Sequence, residues 1–437
     1  MTEHDRQEAR AELARVRRDL AQASGRRRVD LILEAKDPGA IVRGLPADEL
    51  WLTVREVGLG DAAELVQLAS PQQFKVFLDL ETWRKDEPET LRALPWIRAA
   101  RAGAAADDRA GARWTAKLRA LDLELLELVL MDTLRIHDLE KDPDPEIQGD
   151  RFLRTPENRF VVEFAVDGTD YVAVRGLIDD FYAEDPFRAT RLLSAVRWEL
   201  RTELVETALR WREGRLADLG HPSLEEALSW FAKPAATGSA AARAGAPARP
   251  PGFFLASVRG GALLERAAAA LSEPARERLQ LQLVMAANAV LVADEVDLED
   301  ADAVRGAMAS ARALVDLGLE ERAAGGDPAT VLASTPVKAL FQAGFGRLLA
   351  LRWRAERLLA TGKAGTKQSP ELDPPLDDVV RALVRRRPRY FPGIEVPRED
   401  WGTPAAGGFQ PRPFLSAEDL ARTAAALDEA ERIVAAR

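Results

Sequence analysis

Helix-start signals recur along the whole chain, and no other sequence feature constrains its fold as strongly. In each of them a serine or threonine stands just before a segment whose apolar residues return every three or four positions. Four of these signals lie at Ser70, Ser223, Thr335 and Ser416. A hydroxyl at this position accepts hydrogen bonds from the first amide groups of a helix, which otherwise lack partners. The sequence therefore predicts a mainly α-helical protein, built from helical-repeat or bundle units.

One segment departs from the helical pattern. Residues 159–166 alternate in character and end at Asp167-Gly168, a pair typical of turns. The sequence thus predicts one short strand or hairpin near residues 159–173. From Tyr171 onward a second strand and a helix are both open interpretations, and the common face of Val174, Leu177 and Phe181 favours the helix. Continuous helices are predicted over 113–140 and 187–217.

Shifts in composition divide the chain into five predicted segments. They are an N-terminal helical-repeat unit (1–100), a middle helical unit with a short β segment (101–232), a flexible Ala/Gly/Pro linker (233–251), a C-terminal helical bundle (252–365) and an irregular aromatic arm with a final helix (366–437). The repeat prediction rests on two similar helix–turn–helix stretches that begin at Asp37 and Asp61. Such units bury their apolar sides by stacking on one another.

Composition excludes several classes of function. The chain has no cysteine, so disulfides, thiolate metal sites and cysteine nucleophiles are ruled out. Its net charge of −10 argues against general adhesion to nucleic acid, because the field of the protein repels phosphate. No apolar run approaches the ~18–20 residues that cross a bilayer, and the charged first residues do not form a secretory signal. We therefore expect a cytoplasmic protein without a membrane span.

The clearest group of acidic residues follows the predicted helix 113–140. Carboxylates at alternate positions are typical ligands of Mg²⁺ or Ca²⁺, and here they are Asp138, Glu140, Asp142 and Asp144. The pattern does not fit an EF-hand, because Pro143 stands where the loop needs glycine. A solvated loop at a helix end is the simpler interpretation. Weak Mg²⁺ or Ca²⁺ binding is the only cofactor hypothesis that the sequence raises.

Two further sets of polar residues are candidates for ligand binding. Glu206, Arg212 and Arg215 lie on the predicted helix 187–217, while Asn288 interrupts an apolar helix in which its amide needs a partner. Both sets also have structural interpretations, an acid-to-base gradient along a helix and a buried amide bonded to a neighbouring helix. The basic run 385–389, followed by two aromatics, suits either single-stranded nucleic acid or a helix end, and the second is favoured.

The chain resembles two families. The segments at 45–49 and 61–65, LPADE and DAAEL, resemble the helical intracellular N-domain of MgtE-type magnesium transporters over residues 30–85. This resemblance implies a helical fold there and would imply magnesium sensing. The segments 215–220, 286–294 and 317–320 resemble an uncharacterised bacterial family of unknown function, of the delta-proteobacterial type. That second resemblance spans most of the chain and implies a self-contained protein without an assigned activity.

Two functions from different classes remain open at this point. The first is a cytoplasmic interaction or scaffold protein whose helical repeats bind a protein partner, and the sequence favours it. The second is an enzyme or a sensor of a small ligand or divalent ion, with a site between the middle and C-terminal helical units. The absence of nucleophile and phosphate-loop motifs favours a protein that is not an enzyme.

Overall fold

The computed structural model describes residues 19–20, 23, 25–84, 86–232, 262–297, 300–360, 372–403 and 408–436. The fold is mainly α-helical, as predicted. It forms two compact units, an N-terminal unit that ends at Leu219 and a C-terminal unit that begins at Gly220. The five-segment division stays a prediction, and the predicted linker 233–251 lies outside the described residues.

The N-terminal unit contains eleven helices among its described residues. They are α1 (Gly25–Leu33), α2 (Pro38–Gly44), α3 (Ala47–Val57), α4 (Ala63–Leu68), α5 (Pro71–Glu81), α6 (Ala93–Arg101), α7 (Asp108–Ala120), α8 (Leu123–Thr133), α9 (Gly168–Glu184), α10 (Pro186–Trp198) and α11 (Arg201–Asp218). Between α5 and α6 lie two antiparallel strands of two residues each, β1 (Trp83–Arg84) and β2 (Glu87–Pro88), and a 3₁₀ turn at Thr90–Arg92.

Helix α5 begins at the capping box that the sequence predicts. The Ser70 hydroxyl accepts from the amide of Gln73, and the Gln73 side chain accepts from the amide of Ser70. The Gln73 amide group also donates to the carbonyls of Val42 and Leu45, 2.7 and 2.8 Å away. One side chain therefore starts α5 and ties it to the end of α2. Helix α2 packs against α4 and α3 against α5, while the repeat interpretation stays a prediction.

The predicted helix over 113–140 is wrong in two places. The chain is extended at Leu121 and Asp122, which separates α7 from α8. After Thr133 it continues as strand β3 (Leu134–Asp138), in which Leu134 and Ile136 are buried and Arg135 is exposed. This alternation has the period of two that strands require, and the apolar run before it obscured the change of period.

The predicted strand near 159–173 is confirmed as β5 (Phe160–Phe164), but its partners come earlier in the chain. Strand β5 lies in the middle of a three-stranded antiparallel sheet, between β3 and β4 (Phe152–Arg154). The region from Gly168 is helix α9, the favoured interpretation, with Val174, Leu177 and Phe181 buried on one face. All five residues of β5 are buried, as expected for a central strand.

The predicted helix over 187–217 is two helices, α10 and α11. Glu199 and Leu200 both adopt extended backbone angles and end the first helix before the second begins. Because no proline or glycine marks this break, the helical spacing runs through it in the sequence. We call residues 198–201 the α10–α11 junction.

The described part of the C-terminal unit contains eight helices. They are α12 (Leu224–Ser229), α13 (Ala262–Ala269), α14 (Glu273–Ala293), α15 (Ala301–Arg322), α16 (Pro328–Ser334), α17 (Val337–Ala360), α18 (Leu376–Leu383) and α19 (Ala417–Ala435). Helices α15 and α17 cross closely at two glycines. A Cβ on Gly318 would collide with the carbonyl of Leu340, and one on Gly344 with that of Leu314. The absence of a side chain at Gly318 and Gly344 therefore allows the two helices to approach this closely.

Aromatic side chains anchor the irregular segment before α19. Tyr390 and Phe414 are almost fully buried, with their rings edge to face at 5.8 Å. The backbone of Tyr390 also pairs with that of Arg412. The segment is therefore packed into the C-terminal unit.

Candidate interaction surface and its buried charges

A network of paired charges joins three helices inside the N-terminal unit. Asp79, on α5, is almost fully buried and receives two hydrogen bonds from the Arg215 guanidinium of α11, at 2.7 and 2.8 Å. Arg215 also contacts Asp122, which precedes α8, at 2.7 Å, and Lys75 contacts the same carboxylate at 2.7 Å. Burial raises the pKa of Asp79, although Arg215 opposes this. The network holds α11 against α5 and the start of α8.

Arg212 lies one turn before Arg215 and completes this contact. Its Nε donates to the backbone carbonyl of Asp79 at 3.0 Å, and its guanidinium lies 5.7 Å from the Trp83 ring centre. A cation beside the last carbonyls of a helix is favourable, because the helix dipole is negative there. Burial lowers the pKa of Arg212. Two of the predicted ligand-binding residues, Arg212 and Arg215, thus both donate hydrogen bonds to Asp79.

A second set of charges in the same unit is not paired. We call Glu124, Glu127 and Glu199 the glutamate cluster. None of the three side chains makes a hydrogen bond or ion pair to a described residue. Glu127 is only 7% exposed. Burial, with the like charges of Glu124 and Glu199, raises its pKa to about 7. The described residues therefore include a buried carboxyl that is influenced by two other acids and has no cation paired with it.

Lys117, on α7, is an intermediate case. It is 1% exposed, and its Nζ donates to the backbone carbonyl of Gln67 at 2.8 Å. Burial, with the positive charge of Arg113, lowers its pKa to about 8. One backbone carbonyl therefore compensates the charge only in part.

Large apolar side chains are exposed along one face of α10 and at the α10–α11 junction. Phe187 is 85% exposed, Trp198 49% and Leu200 61%. Phe187 and Trp198 are eleven residues apart, three turns of α10, so they share one face. The opposite face packs on α8, α9 and β3 through Ala189, Leu192, Leu193 and Val196. We call Phe187, Trp198 and Leu200 the junction surface.

Two cationic side chains lie close to the ring of Trp198. The Lys141 ammonium lies 3.5 Å from a ring centre of Trp198, and the Arg197 guanidinium lies 4.8 Å from it. Arg201 forms a pair with Asp132 at 2.6 Å. Glu199 stands between Arg197 and Arg201 in the sequence, and its carboxylate pairs with neither of them.

The other two predicted ligand-binding residues have separate surroundings. Glu206 is exposed on α11, with no hydrogen bond or ion pair to the part of the chain that the structure describes. Asn288, on α14, is 5% exposed and donates to the carbonyl of Gly220 at 3.1 Å. This carbonyl accepts from the buried amide. It belongs to a loop, whereas a partner on a neighbouring helix was expected. The enzyme or sensor alternative stays a prediction.

The predicted metal ligands lie at the end of β3 and in the loop after it. Asp138 is buried and accepts from the amide of Glu140 at 3.0 Å, while Asp142 and Asp144 are exposed. Within the described ranges, no group of three or more His, Asp or Glu residues is arranged to hold a metal ion. Weak Mg²⁺ or Ca²⁺ binding by this loop stays a prediction, which calorimetric titration with each ion tests.

The basic run 385–389 is used within the C-terminal unit. Arg387 pairs with Asp294 at 2.7 Å, and Arg386 donates to the carbonyl of Ala293 at 3.3 Å. Both partners lie at the C-terminus of α14, where cations are favoured. Two arginines of the run therefore contact the end of α14, and the nucleic-acid interpretation stays untested.

The fold and the contacts define a mainly α-helical protein of two compact units. No helix among the described residues is long and apolar enough to span a membrane. The chain belongs to a family of unknown function, DUF6178, whose model matches residues 5–436. Neither a curated protein nor a solved structure matches the chain.

Proposed function

We propose that the chain is an interaction protein that binds a protein partner through the junction surface of its N-terminal unit. The observation that carries this proposal is the exposure of Phe187 and Trp198 on one face of α10, with Leu200 exposed at the junction that follows. Single exposed apolar residues are common on proteins, whereas several near one another mark binding surfaces. Tryptophan is also enriched among the residues that contribute most to binding energy.

The rigidity of its support favours this surface as a binding site. Helix α10 is fixed on three elements by its buried face, and α11 is fixed by the paired network around Asp79. The exposed side chains are therefore presented on helices whose positions are already determined. A surface of this kind binds with a small loss of conformational entropy.

Site-specific photo-crosslinking tests the proposal directly. Phe187 is replaced by p-benzoylphenylalanine, and the full-length protein is irradiated in native lysate of its source organism. The same photoreactive residue at Arg109, exposed on α7, is the matched control. We expect a discrete crosslinked product from position 187 that is absent at position 109 and is lost when Trp198→Ala and Leu200→Ser are added. Equal crosslinking at both positions, or none at position 187, would contradict the proposal.

A further inference from the structure

The glutamate cluster is an unusual feature of this fold, because its central member is buried without a partner. A buried carboxylate costs free energy unless a cation or hydrogen-bond donors compensate it. Asp79, in the same unit, is compensated by Arg215. Glu127 is 7% exposed, and it makes no hydrogen bond or ion pair to a described residue. The negative charges of Glu124 and Glu199 disfavour its ionised form further.

The carboxyl group of Glu127 can nevertheless be reached from outside. Neither of its oxygens is among the fully enclosed polar atoms that lack a partner. Helix α8, which carries Glu127, packs against both α10 and α11, and exposed Glu199 lies in the chain between those two helices. The cluster therefore extends from a half-enclosed carboxyl to a surface residue between Trp198 and Leu200.

We propose that the glutamate cluster binds a guanidinium group, supplied by an arginine of the protein partner that docks on the junction surface. This inference rests on the proposed function and adds the chemistry of the partner. An arginine stem packs on apolar side chains while its head forms ion pairs, and the junction supplies both, with Trp198 and Leu200 flanking Glu199.

The spacing of the carboxylates favours guanidinium over a metal ion. In the described part of the chain these three side chains do not form a group that could share one ion. A guanidinium has five N–H donors spread over a plane, so it can pair with carboxylates that do not converge on one point. Lys141 and Arg197 approach Trp198, and Arg201 pairs with Asp132, so the nearby cations have other contacts.

The probe for the test is Nα-acetyl-arginine methylamide, titrated at pH 8 into full-length protein that carries 5-fluorotryptophan. The resonance of Trp198 is assigned by its loss in Trp198→Phe. We expect a saturable shift of this resonance. The affinity should fall at least about tenfold in Glu127→Gln and in Glu199→Gln. Glu199 is exposed, so its variant keeps the fold even if the Glu127 variant does not.

Glu213→Gln is the matched control, because it removes the same charge from an exposed glutamate of α11. It should bind the probe as the unaltered protein does. An equal loss in Glu213→Gln and Glu127→Gln would overturn the proposal, since binding would then follow net charge alone. Absence of a saturable shift, or displacement of the probe by millimolar Mg²⁺, would also overturn it. Crosslinking at position 187 with no guanidinium binding would leave the proposed function standing and remove only this inference.

Discussion

Two groups of buried acids in the N-terminal unit differ in their compensation. Asp79 is held by Arg215, and Arg215 also contacts Asp122, so each charge has a neighbour of opposite sign. Among the described residues, the charges that shift the pKa of Glu127 are Glu124 and Glu199, both acidic. A paired acid has a structural role, because its ion pair holds parts of the fold together. An unpaired acid weakens the fold, and it is therefore the better indication of a binding site.

The largest expected effect comes from breaking the paired network. Asp79→Asn leaves Arg215 and Arg212 beside a neutral side chain, so it should lower the free energy of unfolding by ~3–5 kcal/mol. Urea unfolding followed by tryptophan fluorescence measures the change. Asp179→Asn is the control, because Asp179 forms an exposed pair with Arg175 on α9 and should cost no more than about 0.5 kcal/mol. Equal effects would show that the buried network adds no stability.

Neutralising the unpaired acid Glu127 should raise the free energy of unfolding, whereas neutralising Asp79 should lower it. The pKa of Glu127 rises from 4.5 to about 7 on folding. Between these values the folded chain holds a proton that the unfolded chain releases, so stability falls as pH rises through this window. Glu127→Gln should remove this loss and raise the free energy of unfolding by roughly 3 kcal/mol at pH 8, with little change at pH 4.5. Unfolding curves at both pH values measure it.

The control for this effect is Glu213→Gln, an exposed substitution that should change the free energy of unfolding by no more than about 0.5 kcal/mol at either pH. A destabilised Glu127→Gln protein at pH 8 would show that the carboxylate has a favourable partner. In that case the contrast between the two groups of acids would not hold.

Lys117 sharpens the contrast as a partly compensated charge, and its pH dependence has the reverse sign. Its pKa falls from 10.5 to about 8 on folding. From pH 8 to 10.5 the unfolded chain holds the extra proton, so Lys117 makes stability rise with pH. Lys117→Met should raise the free energy of unfolding at pH 7 by about 2 kcal/mol, since it also loses the bond to Gln67. Urea unfolding at pH 7 and 10 tests whether the gain shrinks as predicted.

The smallest effect on stability is expected at the junction surface. Phe187 is mostly exposed, so Phe187→Ala should change the free energy of unfolding by less than about 0.5 kcal/mol. Thermal unfolding measures it, with Phe181→Ala as the comparison. Phe181 is buried on α9, and its truncation should cost ~3–5 kcal/mol. A large loss in Phe187→Ala would mean that the side chain supports the fold and is not reserved for a partner.

Local signals in the sequence predicted the helices well. The capping residues Ser70, Ser223 and Ser416 each accept from the amide three positions later, as the pattern requires. The breaks were harder to predict. The chain turns at Leu121–Asp122 and at Glu199–Leu200 without proline or glycine. Such breaks depend on the packing of the flanking helices, which lies outside a window of local sequence.

The candidate site was predicted only in part. Arg212 and Arg215 were singled out, whereas their partner Asp79 is more than 130 residues earlier in the chain, and nothing local connects them. Glu127 had a signal of its own, because it interrupts the most apolar helix of the chain. That signal marks a polar residue on a buried helix, but it does not distinguish a paired from an unpaired acid, since pairing depends on distant neighbours.

The most direct test of the contrast is the pKa of Glu127 itself. Protein labelled with ¹³C at the glutamate carboxyl carbons is titrated by NMR, and Glu127→Gln identifies the resonance. We expect a midpoint near pH 7 that moves down when Nα-acetyl-arginine methylamide is present. A midpoint near the ordinary value of 4.5, unmoved by the probe, would mean that Glu127 is already solvated or paired, and it would contradict the assignment of an unpaired, partner-binding acid.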